Sequence, residues 1–414
     1  MKKPNHTDIV VLGGGVSGIA ASVAAAKSGL PVALIERNTF LGGLATAAEV
    51  GTICGLYKFS KKAPSEYIVG RFAKDFAERL KTKSGTEPLS NSSGLLYLPY
   101  EINAFKKICI KLLDEHKIKR FLRTELYSLN RSDTKILSVA VNTDGKSFRF
   151  YPRCVIDCSG DGLLSQLADL PLIKSERYQA AAQVFTMQNL AETDEFILGF
   201  VLMKALHLAI KEKKLAHYFD RVYVIPGSAI NHCVSIKIGL PVTVTHTPEN
   251  GHELKQAAHA FIQELTAYLI QEVPVFKNAS LLHVAPEVGI RVGVRMAGKY
   301  ILTEEDVLQA RKFDDGIANV SWPIEEWEED RRVKMRYLPE NDFYQVPARC
   351  LQSGTLDNLF TAGKCLSATD SAIASARVMG VCLQTGYAAG RMAAASAMNI
   401  PLADTIKQLR EQEL

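Results

Sequence analysis

The chain has 414 residues, 47% apolar and 22% charged, a globular composition that excludes disordered and collagen-like proteins and is long enough for two or three domains. Its 49 basic and 44 acidic side chains leave a formal charge of +5 with no block of like charge, which argues against nucleic acid as the main partner. No apolar stretch reaches the roughly 20 residues of a membrane span: the longest candidate, 373–398, is interrupted by Ser375, Arg377, Gln384, Gly386 and Arg391.

The opening MKKPNHTDIVVLGGGVSGIAAS has two lysines and an apolar run, but Asp8 precedes the run and glycines crowd its end, so it reads as a strand and turn of the mature fold rather than an export signal. Residues 9–12 form a buried strand, 16–28 an alanine-rich helix ended by Gly29, and 32–35 a second buried strand, together a βαβ unit. Apolar steps over 67–81 and 102–113 predict two amphipathic helices. From Phe121 the pattern turns to strands, with FLRTELYSL, ILSVAVN and SFRFYP around a turn at Thr143-Asp144-Gly145, followed by a buried strand at 154–157. Residues 171–338 change character, with helical stretches near 195–216 and 253–272 and strands near 222–225 and 233–240, and read as a domain inserted into the first. The chain then restores its opening pattern, with a strand at 358–363 and one long small-residue helix over 374–396.

Eight cysteines, at 54, 109, 154, 158, 233, 350, 365 and 382, contain no CxxC pair and no disulfide framework, which points to a reducing, cytoplasmic location. No zinc or iron–sulfur ligand set is visible, so no metal is expected.

The chemistry-bearing signal is Gly13-x-Gly15-x-x-Gly18 between the first strand and helix. Glycines there permit a tight turn and let backbone N–H groups at a helix N-terminus reach a pyrophosphate, with Val16 and Ser17 opening that helix. Glu36 ends the second strand 18 residues after Gly18, where a carboxylate accepts hydrogen bonds from an adenosine ribose.

Three blocks then carry a resemblance: Glu36-Arg37 with Gly42-Gly43-Leu44-Ala45-Thr46, Val155-Ile156-Asp157-Cys158-Ser159-Gly160-Asp161-Gly162, and 358–390, NLFTAGKCLSATDSAIASARVMGVCLQTGYAAG. They resemble the FAD-dependent oxidoreductases whose flavin domain is of the glutathione reductase type, distantly similar to fumarate reductase flavoprotein subunits. The resemblance implies an α/β fold: a Rossmann-like FAD-binding domain, a parallel sheet with a β-meander crossover, formed by 1–170 and 339–414, with an inserted α+β substrate or cap domain. It places Gly42, Gly43, Leu44, Ala45 and Thr46 along the pyrophosphate, ribityl chain and ring, Arg37 near the adenosine, and the backbone of 124–126, including Leu126, at the adenine. Ser159, Gly160, Asp161, Gly363, Lys364 and Met379 complete the cofactor contacts, with the N-terminus of the long helix aimed at the flavin edge. No histidine occurs between Pro31 and Thr46, where the fumarate reductase type carries its flavin link, so FAD is expected to be non-covalent.

For the reaction, Arg291 and Arg295 in GIRVGVRMAGKY match the outer arginines of a family segment, whereas Val292, Gly293, Val294 and Lys299 depart from it. His283 and Arg349 complete the catalytic candidates, with His232 and Tyr344 as further options; Cys54 and Cys365 read as packing residues. The expected function is an FAD-dependent dehydrogenase or reductase moving a hydride between flavin N5 and a small organic substrate bound between the domains, with an external electron donor or acceptor. The alternatives are a flavin-dependent monooxygenase and a non-catalytic protein stabilised by FAD.

Overall fold

Five short strands, β1 (Ile9–Leu12), β2 (Val32–Ile35), β3 (Lys119–Phe121), β4 (Cys154–Asp157) and β5 (Leu359–Thr361), lie parallel in the order β5-β4-β1-β2-β3 in this computed structural model, which describes residues 7–60, 65–175, 178–327 and 333–414. β1, β2 and β4 are apolar runs without alternation because the sheet is covered on both faces. On one face Ile9, Val11, Leu34 and Ile156 meet Ile19 and Val23 of α1 (Val16–Ala26). On the other, Val10, Leu12, Ala33, Ile35 and Val155 meet Leu126, Ile136, Val139, Val141 and Phe150. The latter come from the predicted antiparallel meander, found at Thr124–Arg131, Ile136–Thr143 and Lys146–Phe150. The register Ile35↔Leu12↔Asp157 aligns the carboxyl ends of three strands, the edge at which ligands of open α/β sheets bind.

The expected C-terminal helix is two: Asp370–Ala376, capped by Thr369, and α2 (Met379–Ala397). Val378 is extended between them, with φ −67° and ψ 153°. Tertiary packing decides the break, because the chain at Gly55 presses into it: a Cβ on Gly380 would lie 2.3 Å from Gly55 O, and one on Gly55 2.4 Å from Val378 Cγ2. Further along, α2 lies directly on α1, where a Cβ on Gly386 or Gly390 would come within 2.2 Å of the carbonyl oxygens of Ser17 and Ala21.

The inserted unit is an antiparallel sheet in the order Val222–Val224, Val234–Gly239, Ala182–Gln188, Ser280–Val284. Helices Glu195–Lys211 and Pro248–Glu272 cover its outer face through Leu198, Leu202, Leu206, Ile262, Leu265 and Leu269, against Phe185, Met187, Val234, Ile236 and Ile238. Period-two alternation therefore turns Ser235 and Lys237 to the inner face. The insertion expected over 171–338 is shorter in its packing. Leu302, Val307, Ile317, Val320 and Tyr344 join the core of Ile19, Phe360 and Val381, because strand Gly316–Val320 pairs with Tyr344–Pro347 and packs on α2. The charged run near 325–336 disguises these apolar flanks in the sequence; residues 328–332 within it lie outside the described residues.

Candidate active site

The turn after β1 is built by contacts that only glycine allows. A Cβ on Gly13, whose φ is +99°, would lie 2.3 Å from Cys158 O, and one on Gly18 would lie 1.8 Å from Gly13 O. The end of β4 and the start of α1 therefore close directly on this turn. Gly15 is the N-cap of α1, extended, with no side-chain cap and no acid in the first turn, so no side chain of its own caps the positive end of the helix. Gly43, at φ +55°, stacks on Gly15 so closely that a Cβ would reach 2.8 Å from its Cα, and Gly42 N donates to Gly14 O at 2.9 Å. Gly363, at φ +67°, approaches Ser17 in the same way, a Cβ there falling 2.5 Å from Ser17 Oγ.

Glu36 is 5% exposed; its Oε2 accepts from Gly14 N at 2.6 Å and its Oε1 from Asn38 N at 2.8 Å. Thr124 N donates to Glu36 O at 3.0 Å, which brings the 124–126 backbone alongside, with the Leu126 side chain buried in the meander core. Arg37 is exposed on the rim. Leu44 and Ala45 follow the double glycine, whereas Thr46 closes the loop, donating to Leu41 O at 2.7 Å.

Behind β4, the buried Asp157 carboxylate accepts from Ser159 Oγ at 2.6 Å and Leu164 N at 2.8 Å. Burial raises its pKa while the Ser159 hydroxyl and the amides oppose the rise. Cys365 Sγ accepts the N–H groups of Gly160 at 3.0 Å and Gly162 at 3.4 Å. Burial holds that thiol far above its usual range, so Cys365 shapes the turn as a neutral group. Asp161 faces His246 Nδ1 at 3.6 Å, and Lys364, beside Gly160, donates to Ile290 O at 2.9 Å. His246 Nε2 bonds Val292 O at 2.6 Å, and burial lowers its pKa against the pull of Asp161. Met379 opens α2. The cradle thus gathers Gly13 to Gly18, Gly42 to Thr46, Ser159 to Asp161, Gly363 and Lys364, and its glycines leave room where a pyrophosphate would approach backbone amides.

The cap meets this cradle through 285–292: Glu287 N donates to Ala47 O at 2.8 Å, and a Cβ on Gly289 would touch Ala48. Two residues on, the Arg291 guanidinium lies 4.4 Å from the Trp327 ring and donates to Ala180 O. Lys237 Nζ lies 4.8 Å from the same ring. Burial, reinforced by Arg291, brings the Lys237 ammonium down to about 8; burial, reinforced by Arg377, brings Arg291 down to about 9. Glu325 opposes both shifts, while its two oxygens accept from Trp327 Nε1 at 3.0 Å and Trp322 Nε1 at 3.2 Å. Arg377, just before α2, donates to Gln179 Oε1 at 3.0 Å and Glu325 O at 3.2 Å. Cys54 belongs to the same neighbourhood, its thiol pushed up to about 12 by burial, and stays protonated.

The other predicted catalytic side chains are occupied elsewhere. Arg295 is fully buried and paired with Asp370, holding the strand Arg295–Met296 beside the helix at 370–376. His283, on the exposed outer strand of the cap sheet, pairs with Glu49 at 2.8 Å. Arg349 binds Asp315 at 2.9 and 3.2 Å in a groove shared with Leu402 and Arg410. Tyr344 is buried against Ser375 Oγ at 2.8 Å, and His232 sits in a hairpin turn on Leu190 O. Sequence reading missed Lys237, Trp327, Glu325, Arg377 and His246. The one available signal was Lys237, a cation on the alternating polar face of the strand VSIKIG.

The family model described as FAD dependent oxidoreductase matches residues 8–411. The chain belongs to the FAD dependent oxidoreductase family. FAD is accordingly its cofactor, and the glycine cradle fits the dinucleotide. Among solved structures, this FAD dependent oxidoreductase is similar to a geranylgeranyl bacteriochlorophyll reductase-like protein from Thermoplasma acidophilum, at 13% identity, TM-score 0.50, over 98% of this chain and 82% of that one. It is also similar to CabE, an aromatic hydroxylase from angucycline biosynthesis, at 10% identity, TM-score 0.50, over 98% of this chain and 65% of that one. AlpK matches at 12% identity, TM-score 0.50, over 99% of this chain and 67% of that one. At such identities these structures share the fold alone. No curated protein matches the chain. Among the described residues of this oxidoreductase no helix is long and apolar enough to cross a membrane.

Proposed function

We propose that the protein is a dehydrogenase or reductase acting on a small organic substrate held between the flavin cradle and the inner face of the cap, with an external electron donor or acceptor completing the cycle. When bound, FAD supplies hydride transfer at N5; the chain supplies binding, orientation and proton handling. Gly13, Gly15, Val16, Ser17 and Gly18 hold the pyrophosphate, Glu36 and Arg37 the adenosine, and the 124–126 backbone the adenine. Gly42 to Thr46, Ser159 to Asp161, Gly363, Lys364 and Met379 line the ribityl chain and ring, which are held without a covalent bond. Arg291 orients the substrate, and Lys237, with its pKa brought near neutrality, holds or releases a proton.

The observation that carries this reading is the continuity of the two half-sites. The cap segment that lies on Ala47 and Ala48, just after the double glycine, delivers Arg291 two residues later. Cytoplasmic placement suits the eight free thiols, which a reducing compartment preserves. Anaerobic mixing of the FAD-loaded enzyme with a panel of metabolites tests the reaction class. A dehydrogenase bleaches its flavin without oxygen, and the photoreduced enzyme of a reductase is reoxidised by the organic substrate. Consumption of NAD(P)H and oxygen together with hydroxylated product identifies a monooxygenase instead and overturns the proposal.

A further inference from the structure

We propose that Arg221, Lys237 and Arg291, backed by Arg377, form an oxyanion subsite that holds a carboxylate of the organic substrate against Trp327. The inference rests on the reading above that the substrate lies between cradle and cap. Lys237 reaches the inner face by strand alternation, pairing with Tyr223, and Arg221 joins it from the end of the 3-10 turn His217–Arg221, just before the strand Val222–Val224. Gly239, next but one after Lys237, leaves the ledge on which Arg221 lies, since a Cβ there would come 3.1 Å from Arg221 Cβ. These residues, with Arg291 and Trp327, line a small cavity.

Three observations make this a site for an anion. Arg221 is 6% exposed, yet its Nη1 has no hydrogen-bond partner, and its nearest carboxylate, Asp220, stands 3.9 Å from Nε. A desolvated guanidinium N–H without an acceptor is costly and is relieved by an incoming oxyanion. Among the described residues Lys237, Arg291 and Arg377 have no carboxylate within 4.0 Å, and Glu325 beside them already accepts from two indoles. The free space, about 10 Å³, is that of one water-sized group, so it admits a single carboxylate oxygen and excludes a ring or a phosphate ester. A charge-assisted hydrogen bond from the unpartnered guanidinium N–H suits a carboxylate oxygen there, beside the two cations that lie over the Trp327 ring.

The test uses the chain's own reporters. Its two tryptophans, Trp322 and Trp327, both donate to Glu325, so tryptophan emission reports on this site in the FAD-loaded enzyme. Titration with straight-chain carboxylates from acetate to succinate is expected to change that emission saturably, with the corresponding amides and inorganic phosphate at least tenfold weaker. Arg221→Gln and Arg291→Met are each expected to weaken carboxylate binding tenfold or more at unchanged FAD content, and Arg291→Lys to retain part of it. Equal responses to carboxylate and amide, saturation by phosphate at equal concentration, or native carboxylate binding by Arg221→Gln overturns the proposal. The two readings fail separately: a flavin bleached by a neutral substrate with no carboxylate response removes the subsite alone. Saturable carboxylate binding with a flavin that no organic compound reduces or reoxidises removes the reaction class alone.

Discussion

The cradle and the cap face solve opposite problems. The cradle presents backbone, and its side chains are mostly hydrogens: Gly13, Gly15, Gly18, Gly43 and Gly363 bring three strand ends and a helix N-terminus together. The cap face does the reverse, collecting Arg221, Lys237, Arg291 and Trp327 from separate segments around one small cavity, with Arg377 behind them at the C-terminal helices. A backbone site carries little electrostatic cost beyond glycine's entropy, whereas the cationic face holds buried like charges side by side, which costs free energy. Substitutions should therefore act differently in the two regions.

The largest effect is expected where the cradle is anchored. Gly386→Val drives side-chain atoms into the Ser17 carbonyl, and a backbone that cannot yield there costs roughly 4 kcal/mol or more. Denaturant unfolding should show little folded protein at any FAD concentration; a native-like midpoint would mean that α1 and α2 do not cross as closely as described.

In the cap the sign reverses. Lys237 has a pKa brought to about 8 by burial and by Arg291 and Arg377, against Glu325 and Cys54, with Tyr223 and Trp327 also packed on the ammonium. An unfolded chain keeps that proton to about 10.4, so between those values it binds more protons than the native protein. Native stability therefore falls as pH drops from about 10.4 to about 8 and is flat below. Lys237→Met should raise the melting temperature at pH 7 by about 1–2 °C, with the advantage gone above pH ~10.5. A variant less stable than the parent at pH 7 would show that the cation is structural. Carboxylate affinity should also weaken as pH rises through about 8, where the unliganded lysine loses its charge.

The smallest effect belongs outside both regions. Arg349→Ala breaks an exposed pair with Asp315, worth about 0.2–1 kcal/mol, and should leave FAD content and turnover unchanged. A tenfold loss of turnover at normal FAD content would restore Arg349 as a catalytic candidate.

The same contrast explains how far the sequence could be read. Backbone recognition writes itself locally, as glycines at fixed offsets from a strand and as Glu36 at the next strand end, so the cradle was legible from three short blocks. The break before Met379 was not, because Gly55, more than three hundred residues earlier, imposes it. Nor was the reach of the flavin-domain core to residues 302–347, since the charged run beside it conceals apolar strands. Arg295, whose spacing suggested catalysis, is buried on Asp370, while Lys237 owes its place on the inner face to sheet alternation and Arg221 to the turn before an edge strand, in an inserted segment that no linear motif marks.

The most direct test of the account is flavin content in Gly15→Val. Among the described residues a Cβ at Gly15 meets only Gly43 Cα, at 3.6 Å, so the side chain would occupy the space in front of the α1 amides where the proposal puts the pyrophosphate. The account predicts a variant with unchanged far-ultraviolet circular dichroism that is purified colourless and does not take up added FAD. A folded Gly15→Val protein carrying one flavin per chain would contradict the cradle itself.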